Sequence, residues 1–95
     1  MSLPQKYEVI FREECDRLSV NLCNSLLHLK ENPTDSTEIK NIVQAADTIM
    51  GNARFLGNKI LEDHATMIVK EFSKVDDVQK RIEQLTCLIM GIINN

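Results

Sequence analysis

Tryptophan is absent from these 95 residues, and one tyrosine and three phenylalanines make up all the aromatic mass. Sheets draw on aromatic and β-branched strands separated by frequent turns, and two prolines and three glycines supply few turn signals. The composition argues against an all-β fold and for helices packed through aliphatic side chains. The cysteines are equally uninformative for chemistry. Cys15, Cys23 and Cys87 form an odd, widely spaced set with no Cys-x-x-Cys pair, which speaks against both a disulfide framework and a zinc site. They are read as buried or half-buried thiols acting as small hydrophobes.

Charge of one sign is lacking too. Eleven cations and 14 anions are interspersed along the chain for a net −3. No lysine or arginine run forms the cationic stripe that binding a phosphate backbone requires, so nucleic acid is not an expected partner. The longest apolar tract, Cys87 to Ile93 with Gly91 inside it, is far below the roughly 20 residues needed to span a bilayer. No membrane partner is expected. The opening Met-Ser-Leu-Pro lacks the basic and apolar regions of a secretory signal, so the expected location is cytoplasmic. A glycine-rich phosphate loop, histidines at metal spacing and a nucleophile beside a base are all missing. The chain is accordingly expected to be no enzyme and to take no metal or cofactor.

What is present is helical periodicity. The length suits one domain with one core, burying about 65% of its unfolded surface. A first helix is expected over about residues 5–31, with Phe11, Cys15, Leu18, Leu22, Leu26 and Leu29 at steps of three and four. Ser2 and Gln5 have capping-box spacing, and Asn32-Pro33 ends the helix. Asp35 with Glu38 starts a second helix over about 36–55, whose apolar side is Ile39, Ile42, Val43, Ala46, Ile49, Met50 and Ala53 and whose stop is Gly57. Asn58 caps a third over about 58–72, with the stripe Leu61, Ala65, Ile68 and Phe72. Ser73 and Asp76 signal a restart, and one fourth helix over about 76–94 carries Val78, Ile82, Leu85, Ile89 and Ile92. Connections of about two to five residues then imply an all-α, antiparallel, up-down-up-down four-helix bundle.

From Ala45 to Gly57 the chain reads Ala-Ala-Asp-Thr-Ile-Met-Gly-Asn-Ala-Arg-Phe-Leu-Gly. This resembles the signature of histidine-containing phosphotransfer (HPt) domains, nearest to the phosphotransfer domain of chemotaxis-type histidine kinases. That family shows Ala-Ala-His-x-x-Lys-Gly-x-x-x-x-x-Gly on the second helix of a four-helix bundle, after a long acidic first helix and an Asn/Asp-Pro turn. Ala45, Ala46, Thr48, Ile49, Gly51, Ala53 and Gly57 fall in register with it, and the general layout covers nearly the whole chain. Asp47, however, stands where the family has its phosphoryl-accepting histidine, and Met50 stands where it has the lysine that helps hold the phosphate. A carboxylate is a weaker nucleophile than an imidazole, and passing phosphate between two carboxylates needs metal and cationic ligands that the motif lacks. The resemblance therefore implies a degenerate HPt-like module of two-component or phosphorelay signalling. Such a module docks a response-regulator receiver domain or a histidine kinase without carrying phosphate.

Helical geometry names the surface. At 100° per residue Asp47 lies about 110° from the centre of the apolar face, on an exposed flank with Lys40, Gln44, Gly51 and Arg54 at steps of three, four and seven. Arg54 is its expected charged neighbour. Gly51, bare of a side chain one turn on, lets another protein approach the backbone closely. Met50 turns inward as core filler or as part of an adaptable apolar patch. His64 on the third helix falls at about the height of Asp47 and is the alternative phosphoacceptor, in which case the chain is an active phosphocarrier. His28 reads as a surface residue. Val9, Val20, Leu27, Leu88, Met90 and Ile93 lie off the main stripes and suggest another alternative, a helical scaffold domain that forms a homo-oligomer.

Overall fold

Asp35 opens the best-defined helix in the chain. In the computed structural model, which describes the backbone of residues 2–94 and side chains from residue 6, its carboxylate accepts from the backbone N–H groups of Thr37 and Glu38, at 3.0 and 3.2 Å. Those are orphan donors of a first turn, and a side-chain oxygen at this position satisfies them. The helix, Ser36–Leu56, is the second of five, between α1 (Ser2–Glu31) and α3 (Lys59–Glu71), with α4 (Val75–Lys80) and α5 (Ile82–Ile93) following. It is labelled α2. The expected Ser2–Gln5 capping box lies outside the described side chains.

Gly57 ends α2 with φ of 73°, a left-handed conformation in which its N–H reaches the carbonyls of Ala53 and Arg54. Asn58 follows at once, its side chain accepting from the backbone N–H of Leu61 at 3.1 Å, so α3 starts without a loop.

The last expected helix, over 76–94, is corrected to two segments broken at Arg81. Arg81 has φ −131° and ψ 36°, away from helical values. The cause is tertiary. Its guanidinium donates 3.0 Å to the Glu71 carboxylate and 2.7 Å to the Glu71 carbonyl oxygen, and it sits 4.6 Å over the Phe72 ring. One side chain thereby satisfies an open carbonyl at the end of α3 and covers its last aromatic. Ser73 and Asp76 do not cap the restart: Lys74 holds the cap position and makes no side-chain bond there.

Packing runs as a ring, α1 on α2, α2 on α3, α3 on α5 and α5 back on α1, with α4 touching α2 and α5. Leu22, Leu29, Ile42, Ile49, Ile68, Phe72, Val78, Leu85 and Ile89 are the largest side chains sealed inside. Each fully buried aliphatic contributes about 1.5–3 kcal/mol, so this shared interior, more than helix propensity, holds the helices. The molecule is all-helical and measures 47 × 19 × 19 Å. Among the described residues there is no strand and no helix long and apolar enough to cross a membrane.

Candidate functional site

The two faces of α2 are chemically opposite. Ile42, Ala46, Ile49 and Ala53 are at most 1% exposed, whereas Lys40, Gln44, Asp47, Gly51 and Arg54 are all exposed. Asp47 makes no side-chain hydrogen bond or ion pair among the described residues. A Cβ built on Gly51 would meet nothing within 4 Å, so bare backbone faces open space one turn beyond the carboxylate. Met50 is half-buried and packs against the core cluster. It lies beneath the strip more than in it.

Arg54 differs from expectation. Its Nε donates 2.8 Å to the Glu62 carboxylate on α3, so the nearby cation is committed across the α2–α3 seam and not to Asp47. Glu62, the stronger competitor, was not singled out from sequence because it sits on another helix. The exposed strip keeps one unengaged cation, Lys40, and one unengaged anion, Asp47.

His64 is not brought to that strip, which corrects the expected shared edge. Its ring lies against Gly91 of α5, so close that a Cβ there would fall 2.5 Å from Cδ2 and 2.6 Å from Nε2. The physical reason is rotation about α3. Glu62 faces α2, and His64, two residues on and about 200° around the helix, faces the opposite seam. Its Nδ1 lies 2.7 Å from the Ile60 carbonyl and donates to it, which leaves Nε2 as the nitrogen with the lone pair. That nitrogen points at the α5 backbone.

Residues that sequence reasoning passed over knit α1 to α2 beside the strip. Asn52, only 9% exposed, donates 2.7 Å to the Glu14 carboxylate. Nothing in the linear order of an Asn after a Gly signals a partner far away on another helix. His28 does sit at the surface, and its Nδ1 lies 2.7 Å from the Glu38 carboxylate. Cys15 is buried and Cys23 half-buried, while Cys87 is exposed, contrary to the reading of all three as covered. Burial pushes the Cys15 thiol above its ordinary value of 9.0; Asp16 and Glu14 add to the rise, and the Asn52 hydrogen bond and Arg12 oppose it. It is held as an unreactive thiol. No group of three or more His, Cys, Asp or Glu side chains converges to hold a metal among the described residues.

Compared with known proteins, the chain matches no family model, no curated protein and no solved structure. Its functional reading rests on its own residues and geometry.

Proposed function

We propose that this chain is a degenerate HPt-like docking module, an antiparallel four-helix bundle that presents the strip Lys40, Gln44, Asp47, Gly51 and Arg54, with Met50 beneath it, to a receiver domain or a histidine kinase without itself carrying phosphate. The observation that carries the reading is Asp47. It stands in the acceptor slot of the motif as an exposed, unpartnered acid with open backbone at Gly51 one turn away. The antiparallel arrangement is supported by contacts whose numbers fall on one helix as they rise on the next. His28, Glu14 and Phe11 of α1 meet Glu38, Asn52 and Phe55 of α2, and Glu71 and His64 of α3 meet Arg81 and Gly91.

Calorimetric titration against receiver domains tests the reading. Binding is expected for the natural chain and a loss of at least roughly tenfold for Gly51→Arg, which fills the open approach. Unchanged affinity in that variant rules out the strip. Incubation with a phosphorylated receiver is expected to leave no label on Asp47, and label on that residue ends the non-carrier reading.

A second reading draws on a different observation. Val9, Val20, Leu27, Met90 and Ile93 are each at least 40% exposed, whereas Leu88 is partly buried against the core. These exposed apolar side chains on α1 and α5 favour self-association through that side. Sedimentation at high micromolar concentration separates the two, since a monomer there removes the scaffold alternative. The His64 phosphocarrier draws less support, because Nε2 is turned toward α5.

A further inference from the structure

Arg54 is the cation best placed to balance Asp47 on the exposed strip, and its charge is drawn off to another helix. Its Nε donates 2.8 Å to the Glu62 carboxylate; the arginine side chain is 64% exposed, that of Glu62 only 16%. The covered acid has little room to move. The exposed guanidinium is therefore the member of the pair that reaches across the α2–α3 seam.

Gly51 lies between Asp47 and Arg54 on this face of α2, four residues from the one and three from the other. A group resting on the open backbone there stands about 6 Å along the helix from Asp47 and about 4.5 Å from Arg54. Asp47 supplies a bare carboxylate on one side of that place. On the other side, the guanidinium that would balance it is engaged by Glu62. No neighbouring cation makes up the loss. Lys40 is eleven residues from Gly51, about 16.5 Å along α2, and the Lys59 ammonium lies 3.2 Å from Asp63. Lys70 stands about 80° around α3 from Glu62, off the seam. The approach to Gly51 is thus open sterically and anionic electrically.

In the docking reading this acceptor slot meets the aspartate on which a receiver domain carries phosphate. Phosphorylation there adds a charge of about −1.5 to −2. Like charges brought together across an interface oppose association and reject the partner that carries them. Resting on that reading, we infer that the strip selects the unphosphorylated form of its receiver, and that Glu62 is the positioning residue that sets the choice by holding Arg54. The module then lets go of a receiver that acquires phosphate, which makes it responsive to the state of its partner.

The test presents the receiver that binds in the titration above in two forms, untreated and treated with beryllium fluoride, which makes a stable stand-in for phosphate on its aspartate. The untreated form is expected to bind at least roughly tenfold more tightly, with the difference shrinking as salt is added. Glu62→Gln frees Arg54 and should narrow the difference several-fold, chiefly by strengthening binding of the fluoride form. Arg54→Ala in the same chain should restore it, which a merely structural role for Glu62 would not produce. Equal affinity for the two forms, tighter binding of the fluoride form, or a Glu62→Gln chain that discriminates as before would each overturn the inference and leave the docking reading standing. Binding of neither form by any receiver removes the docking reading and the inference with it.

Discussion

The two junctions that flank α3 solve the same problem in different ways. At the α2–α3 junction, Gly57 adopts the left-handed turn and Asn58 caps the next helix, so adjacent residues satisfy the open helix ends. At the junction after α3, the work falls to Arg81, ten residues from Glu71, which binds that residue's carboxylate and carbonyl and covers Phe72. A local junction survives as a pattern in the sequence. A junction made by a side chain arriving from a later helix does not, and its cost is the break between α4 and α5.

The comparison breaks most forcefully at Phe72, which is fully buried and carries the guanidinium. Phe72→Ala is expected to lower unfolding free energy by about 3–5 kcal/mol, measured by urea denaturation. Arg81→Ala should cost about 1–2 kcal/mol, since the group is a third exposed and solvent screens its charge. Arg81→Lys should recover little of that, because an ammonium cannot reproduce the two-pronged contact. Full recovery in the lysine variant would mean that the junction needs only a positive charge.

Gly91 sharpens the contrast from the α5 side. Gly91→Ala forces the His64 ring to move and is expected to cost about 1 kcal/mol, the clash outweighing the gain in helix propensity. With His64→Ala in the same chain the sign should reverse, alanine gaining up to about 1 kcal/mol, so a double-mutant cycle reads the contact directly. At the local junction, Gly57→Ala should cost about 1 kcal/mol through its positive φ, independently of any partner helix.

The smallest expected effect is on pH dependence. The Cys15 thiol titrates higher in the folded state than its ordinary value of 9.0 because of burial, so the neutral form is favoured by folding. Above about pH 9 the unfolded chain gives up this proton first and stability falls as pH rises, whereas below that the group contributes no slope. Cys15→Val should therefore flatten the alkaline limb of the stability profile and leave neutral pH unaffected in slope. A thiol reagent should modify exposed Cys87 first and Cys15 last.

Much of the helical layout was legible because its signals are local. Asp35, Gly57 and Asn58 mark helix ends by their own chemistry, and the stripe Ile42, Ala46, Ile49 and Ala53 repeats on one side of one helix. The exposure of Asp47 follows from the same periodicity. The choice of neighbours did not follow from it. Arg54 pairs with Glu62 instead of Asp47, His64 turns to Gly91, and Asn52 reaches Glu14, and each of these depends on which flank of a helix meets which neighbour.

By itself the sequence determined that this chain is helical, where its turns at Gly57 and Asn58 fall, which side of each helix is apolar and that an acid occupies position 47. Tertiary structure alone decided the break at Arg81, the separation of His64 from Asp47, and the hold of Glu62 on Arg54. The physical reason is range: capping and periodicity act within about one turn of helix, whereas ion pairs, ring contacts and clefts exist only once separate helices share an interior.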